Sequence, residues 1–480
     1  MAFEKKELKK KSENLSDWYT DVILKAELAD YAPVKGTMVI RPYGYALWEA
    51  VQEIFNRMMK TKGVENAYFP LFIPHSLLEK EKEHVKGFSP ELALVTIGGG
   101  EKLKDPLVVR PTSETIMYAM YAKWVHSWRD LPILINQWNN VVRWEKRTYL
   151  FLRTTEFLWQ EGHTAHETEK EAIDMALTAF EWYRQVFEEY LAIPIYQGTK
   201  SESEKFAGAK TTYTNEALMP DGKALQIATS HNLGQNFSKV FDIQFAARDG
   251  KMDHVWQTSW GLSTRALGGL FLTHGDDNGV ILPPKIAPVQ MIIMPIMKKD
   301  ADTSVLLARC AEIRETLVNS GIRVKVDTRE EPSVGRRFNE WEVKGVPVRL
   351  EVGERELAAD TVVLARRDTG EKITVARKEI LVTVQKMLDD IQKSLYEKAK
   401  KFLDGNTHDA ATYDEFKNIM SATRGFIRAF WCEEVACEAK VKEETKASTR
   451  LLPMGAKDET GTCVRCGKPA SHRWLFAQSY

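Results

Sequence analysis

Residues 133–145 read ILINQWNNVVRWE, a strand-like run rich in β-branched and aromatic side chains. Its neighbours along the chain have the same character. Upstream, LALVTI (92–97) precedes the turn at Gly98–Gly100, and PLVVR (106–110) precedes Pro111. Downstream come LQIATSHNL (225–233), KVFDIQFAA (239–247) and DHVWQTSWGLSTR (253–265). Helical spacing is confined to a few segments. From Tyr45 to Lys62 the apolar residues Leu47, Ala50/Val51, Ile54/Phe55 and Met58 share one face, and Gly63 closes it. An extended, aromatic segment follows from Asn66 to Pro74, and a second amphipathic pattern spans Glu167–Tyr190. Residues 1–30 read as a charged helix with an extended lead-in. Many strands with few helices between them predict an α+β fold, a mainly antiparallel sheet flanked by helices, and not a βαβ repeat.

The pattern changes at Leu282-Pro283-Pro284, which reads as a linker. Beyond it come VQMIIMPIM (289–297), a helix over about 302–320, IRVKVDT (322–328), a helix over about 336–344, VPVRLEVG (346–353) and TVVLARRD (361–368). Strand–helix–strand alternation at this spacing predicts a small α/β domain with its own sheet. A long helix over about 378–403 leads into a cysteine-bearing segment. The 480 residues suggest about three domains. The expected boundaries are 1–284, 285–385 and 386–480.

Formal net charge is zero, so no global field announces a nucleic-acid binder, and any RNA must meet a local basic face. The N-terminus carries positive charge with no apolar stretch behind it, and Val289–Met297 ends at Lys298. Neither reads as a signal peptide or a membrane span, so the expectation is a cytoplasmic protein with no membrane partner. The basic stretch Lys5–Lys11 reads as a solvated helix face, and Cys310 as a core residue. The other four cysteines form two close pairs, Cys432-x4-Cys437 and Cys463-x2-Cys466. That pattern suits tetrahedral zinc with no open position, a structural metal; a reduced, empty site held by packing is the alternative.

Arg143-Trp144-Glu145 lies in the strand-like run, and Arg265 ends another. A guanidinium facing a pocket suits a triphosphate, because it grips phosphate oxygens in a fork without losing its charge. Each arginine alone is weak evidence, because an isolated RxE triplet is mostly a surface ion pair. Their company is more specific. The stretch 36–74 (GTMVIRPYGYALWEAVQEIFNRMMKTKGVENAYFPLFIP) resembles the first class II motif of prolyl-tRNA synthetases, a dimer-interface helix and strand. VVRPTSET (108–115) resembles that family's amino-acid-binding loop, VVRWEKR…FLRTTEF (141–157) its motif 2, and WGLSTRALGGL (260–270) its motif 3. WQEGHTAH (159–166), KFAGA (205–209) and QIATSHNLGQNF (226–237) resemble further pocket segments.

The resemblance covers nearly the whole chain. It implies a class II catalytic domain that forms proline adenylate from L-proline and ATP with Mg2+, then charges tRNA(Pro), and it implies a homodimer. By resemblance Arg143 meets the α-phosphate and the proline carboxylate, Glu145 the adenine amino group, Thr154 the nucleotide, and Arg265 the γ-phosphate. Thr112 and Glu114 provide for the secondary ammonium of proline. Trp159, Glu161, His163 and Phe206 form the wall and its supports. Gln226, Thr229 and His231 close the site, above Ser259 and Gly261. GRRFNEWEVKGVPVRLEVG (335–353) resembles the family's anticodon-binding domain, which points to Arg336, Arg337, Glu340, Lys344 and Arg349, with Phe338 and Trp341 as stacking platforms. Core packing explains Trp159 and Phe206 as well, a satisfied buried histidine explains His231, and a helix first-turn acid explains Glu114.

The interval between Arg143 and Arg265 leaves no room for an inserted editing domain. With the C-terminal cysteines and Tyr480, this layout is similar to the archaeal and eukaryote-like type, whose terminal tyrosine carboxylate lies near the active site. A pocket for an apolar ring cannot exclude smaller amino acids, so cysteine and alanine are expected to be misactivated. Two other functions fit less well. An inactive synthetase-like, tRNA- or partner-binding paralogue need not keep Arg143, Arg265, Glu114 and Thr112. A threonine enzyme would carry a pocket cysteine for zinc.

Overall fold

The computed structural model describes residues 8–84, 92–297 and 302–480. Residues 5–7 of the basic stretch, and Lys298, lie outside the described residues. The centre of the molecule is an eleven-stranded sheet. In chain order its strands are β1 (Glu65–Asn66), β2 (Ile133–Val142), β3 (Glu156–His166), β4 (Tyr196–Thr199), β5 (Thr211–Leu218), β6 (Ala224–Gly234) and β7 (Trp256–Ser263). They continue with β8 (Thr407–Asp409), β9 (Phe426–Trp431), β10 (Ser448–Pro453) and β11 (His472–Ala477). The spatial order is β8-β9-β11-β10-β4-β5-β6-β7-β3-β2-β1. Only the outermost pairs, β1–β2 and β8–β9, are parallel. The expected antiparallel sheet is present, and it is longer than expected, because strands of the cysteine-bearing segment complete it.

Helices cover one face. In α1 (Pro42–Lys60), Leu47, Val51, Ile54, Phe55 and Met59 are buried, the i, i+4 stripe anticipated from the apolar spacing. Proline opens the helix at its first turn, where a missing N–H costs nothing. On the opposite face, α2 (Glu114–Trp124) starts beside the cavity described below. On the first face, α3 (Glu169–Gln185) begins at a reciprocal capping box, Thr168 with Glu171. Phe55 stacks on Tyr183 and meets Trp138, Trp182 and Trp260 edge-on, so aromatic rings join α1 and α3 to the sheet. Gly162 makes that packing possible: a Cβ there would come within 2.2 Å of the Trp260 ring.

Two expected elements differ. The run 239–247 is strand only over Gln244–Ala246, and Asn236–Phe241 is a helical turn. Phe237 and Phe241, four residues apart, both meet Tyr118, so helical spacing prevails there. The basic stretch is not a solvated helix face where it is described, since the helix begins at Leu15. Lys11 instead turns inward, its Nζ donating to the carbonyls of Leu272 (2.6 Å) and Gly275 (2.7 Å). These carbonyls end the helix α4 (Arg265–His274), a position that favours a cation. Burial pushes the Lys11 ammonium down to about 8.

The second sheet has the order 324–326, 291–295, 348–352, 361–366, 372–376, parallel in its first three strands and antiparallel after them. Helix α5 (Val334–Val343) packs on it. The long α6 (Ile380–Gly405) runs through the expected boundary at 385–386. Near the C-terminus α7 (Val435–Thr445) precedes β10. Arg450 of β10 forks onto Glu216 of β5 at 3.0–3.2 Å, and Lys200 reaches the same carboxylate at 2.7 Å. All three side chains are buried. Burial opposes the Glu216 charge, but Arg450 and Lys200 outweigh it and hold the carboxyl below its usual range. No helix of the described residues is long and apolar enough to cross a membrane.

Two buried histidines make stability depend on pH. His166 and His274 are each about 4–5% exposed, and burial pushes both down to about 4. Unfolded, each takes a proton near pH 6.5; folded, neither does until about pH 4. The unfolded chain therefore binds more protons in this window, and stability falls as pH drops through it, by about 1.4 kcal/mol per pH unit for each histidine. Between pH 7 and 5, His274→Gln should lose about 2 kcal/mol less stability than the wild type. Urea unfolding at the two pH values checks this, and equal losses would refute it.

Candidate active site and metal centre

Cross-strand register builds the floor of one cavity. Glu161 of β3 pairs with Gly261 of β7, His163 with Ser259, and Trp159 with Ser263. On the other side of β7, Ser259 pairs with His231 and Gly261 with Thr229 of β6. Alternation along each strand turns these residues to one face. With Thr112, Glu114, Arg143, Phe206, Gln226 and Arg265 they line a space of about 490 Å³, a size suited to a small-molecule ligand.

One side is acidic and rigid. Glu161 is fully buried; its Oε1 accepts from Asn139 (2.6 Å), Gln137 (3.2 Å) and the Ser113 hydroxyl, and its Oε2 meets His163 Nε2 at 3.0 Å. Burial alone would raise this carboxyl, but His163 and the other donors outweigh it and hold it below the usual range. Burial also pushes His163 down, yet Glu161 and Glu114 carry it above its ordinary value. Tyr118 bonds the other imidazole nitrogen at 3.0 Å and so fixes the ring. Glu114 stands in the first turn of α2 and accepts from the Thr112 hydroxyl. His231 is bonded to Thr212 at 2.9 Å, and its ring meets that of Phe206 at a tilt, 4.8 Å between centroids. Burial and His163 push it down to about 3, so it is neutral.

The other side is cationic. Arg143 sits one residue past the end of β2 and not within the strand, because the chain turns there into the segment 143–155. Its Nε donates to the Pro111 carbonyl at 3.0 Å, and its guanidinium lies 5.5 Å from both the Phe157 and Trp159 rings. Burial lowers its pKa, while Glu114, Glu161 and Glu145 offset part of that. Arg265 likewise lies past its strand, as the first residue of α4. A cation in a first helical turn opposes the helix dipole, an arrangement that suits an anion lying between them. Its Nε donates to the Leu152 carbonyl at 3.0 Å, and burial with Arg143 pushes it down to about 10. Among the described residues the Ser259 hydroxyl, buried on the cavity floor, has no hydrogen-bond partner, which suits a site for a polar ligand group.

Glu145 and Thr154 are absent from the cavity lining. Glu145 forms an ion pair with Arg153 at 2.8 Å, and the buried Thr154 donates to the Glu156 carbonyl at 2.6 Å. Lining residues that were not anticipated include Phe157, Glu204, Thr212 and Ser263. Phe157 stands two residues before Trp159 on the same strand face, so alternation could have found it. Thr212 is visible only through its pairing with His231.

In the second sheet's domain, Arg336 and Arg349 remain on the surface side, with Arg349 stacked 4.2 Å from the Phe338 ring and bonded to Glu351 at 2.8 Å. Glu340 pairs with Arg329 at 3.0 Å. Three residues of that set are committed inward. Arg337 is buried and donates to the Asp327 carbonyl at 2.7 Å, and Trp341 donates to the Asp327 carboxylate at 2.8 Å. Lys344 pairs with Glu27 of the first domain at 2.5 Å.

The four C-terminal cysteines come together, every Sγ within 4.8 Å of the others. The Cys437–Cys463 and Cys432–Cys466 separations are 3.7 and 3.6 Å. A zinc–sulfur bond of about 2.3 Å implies a tetrahedron with edges of about 3.8 Å, so this donor set fits zinc. Tyr480 lies outside the cavity, its backbone N–H on the Ala224 carbonyl (3.2 Å) and its ring 5.0 Å from Lys223.

Family models match three parts of the chain: the class II tRNA synthetase core domain (G, H, P, S and T) over residues 96–273, the anticodon binding domain over 290–387, and the prolyl-tRNA synthetase C-terminal domain over 413–480. A proline–tRNA ligase of Natranaerobius thermophilus is 54% identical over 99% of this chain and 98% of its own. The chloroplastic/mitochondrial proline–tRNA ligase of Arabidopsis thaliana is 52% identical over 98% of this chain and 88% of its own. That of Chlorobaculum tepidum is 52% identical over 98% of both.

Proposed function

The chain belongs to the proline–tRNA ligase family, and from that premise we propose how its cavity divides the reaction between two charged walls. The enzyme joins L-proline to ATP and passes the prolyl group to the 3′ end of its tRNA. The observation that carries our assignment is the charge separation across one cavity, with Glu114 and Glu161 on one side and Arg143 and Arg265 on the other. The acidic wall, with Thr112 and His163, suits the secondary ammonium of proline, and Trp159, Phe206 and His231 enclose its ring. The proline carboxylate then lies toward Arg143.

Its oxygen attacks the α-phosphorus of ATP and pyrophosphate leaves. The carboxylate is ionised at neutral pH and needs no general base. Charge that gathers on the α-phosphate meets Arg143, whose guanidinium is held in place before the reaction starts. Arg265 takes the γ-phosphate end, with Gln226 and Thr229 along the nucleotide. Glu145 and Thr154 join the nucleotide only if the segment 143–155 closes over it. Magnesium, bound with ATP, neutralises part of the triphosphate charge. Cys432, Cys437, Cys463 and Cys466 would hold zinc, which would supply a structural cross-link.

We assign residues 1–284 to adenylation, 285–385 to anticodon reading through Arg336, Glu340 and Arg349, and 386–480 to the zinc module. A cytoplasmic homodimer completes the proposal. Its support is the exposure of Tyr31, Val39, Tyr68 and Phe72 in the segment 29–74. An inactive paralogue is disfavoured because Thr112, Glu114, Arg143 and Arg265 all reach one cavity.

ATP–pyrophosphate exchange with a panel of amino acids tests the assignment. Proline should support exchange without tRNA. Cysteine and alanine should support it at about one-tenth to one two-hundredth of that efficiency, the discrimination available from a missing methylene. Folded protein with magnesium that shows no proline-dependent exchange would overturn the assignment.

A further inference from the structure

We propose that Glu438 of α7 is a positioning residue for proline, holding the loop 201–206 that carries Glu204 and Phe206 into the cavity. The proposal rests on the proline assignment above. Glu438 is 3% exposed and forms no ion pair among the described residues. Its carboxylate accepts instead from three hydroxyls: Ser201 (3.2 and 3.3 Å), Ser203 and Thr449. Two of the three belong to the loop. Ser201 also meets Thr449 at 3.0 Å, which closes the cluster.

One helical turn further on, on the same face, Lys442 reaches Glu204 at 3.1 Å. Helix α7 therefore grips the loop at two points, and one of the gripped residues lines the cavity. Ser201 transmits the grip. Its carbonyl takes the N–H groups of Glu204 (3.2 Å) and Lys205 (2.9 Å), and the turn delivers Phe206, whose N–H meets Thr212 at 2.9 Å. Phe206 then packs against the His231 ring. The nucleotide side has no such link, since Arg143 and Arg265 are fixed by Pro111, Leu152 and Gln226. Cys437 immediately precedes Glu438, so the zinc module is built into the wall of the amino-acid subsite.

The test compares wild type with Glu438→Ala in proline-dependent exchange, with zinc content measured and hydrogen exchange followed over the peptide 200–210. Glu438→Ala should raise the proline KM at least about tenfold, leave the ATP KM within about twofold, keep its zinc, and speed amide exchange in the loop. An unchanged proline KM, or equal losses for ATP and proline, would overturn the proposal. If Glu438→Ala does not fold, the milder Ser203→Ala/Lys442→Ala variant decides. A selective rise in proline KM of about threefold or more upholds the proposal, and none refutes it. Absence of proline exchange in the wild type would instead strike the assignment on which the proposal rests.

Discussion

Arg143→Ala is expected to cut proline-dependent ATP–pyrophosphate exchange by at least about a hundredfold, with little change in thermal stability. A hundredfold corresponds to about 2.7 kcal/mol of transition-state stabilisation, the lower end of what one preorganised donor supplies in a closed site. The geometry supports so large an effect. Among the described residues only Nε of Arg143 donates a hydrogen bond to the protein, and the ring faces of Phe157 and Trp159 hold the plane of the fork. Under the proposed assignment, charge forming on the α-phosphate would meet a donor that has no reorganisation left to undergo. Arg143→Lys should recover only part of the rate, because an ammonium presents a point charge and not a planar pair of donors. Near-normal exchange by the alanine variant would place the α-phosphate elsewhere.

Cys463→Ser should have its effect on stability. Metal analysis of the wild type should find about one zinc per chain. The variant should lose most of it and at least about 3 kcal/mol of stability, a fraction of the roughly 10–16 kcal/mol that zinc contributes to small zinc-dependent folds. The cysteines gather the end of β9, the start of α7 and the turn at 463–466. Substrate affinities should change less than stability does, because Arg450–Glu216 and the β4–β10 pairing still dock the module. Metal-free protein as isolated, equally stable after chelation, would refute the role of zinc.

Much of this architecture was legible in the sequence, and the reasons are local. The stripe Leu47–Val51–Ile54/Phe55 announces α1 because helix periodicity is written within one element. The four cysteines announce their site because ligand chemistry and spacing suffice. Phe237 and Phe241 were misread because a run cut at residue 239 hides their four-residue spacing. Thr212 and Glu204 were missed for a deeper reason: their place in the cavity comes from strand register and from a loop held by a distant helix. The inward turn of Lys344 toward Glu27 depends on domain docking, which no local pattern records. The same holds for the continuity of β10 with β4.

That continuity bears on how the chain folds as it is made. Strand β4 lies at 196–199, yet the partner on its open edge, β10, lies at 448–453. During synthesis the adenylation half emerges with that edge unpaired and with Glu216 still lacking Arg450. Contacts of such sequence separation form late, since the loop between them must close first. A nascent chain stalled before residue 448 would hold a nearly complete active site beside a bare, hydrogen-bond-hungry edge, the kind of surface on which chains aggregate and chaperones act.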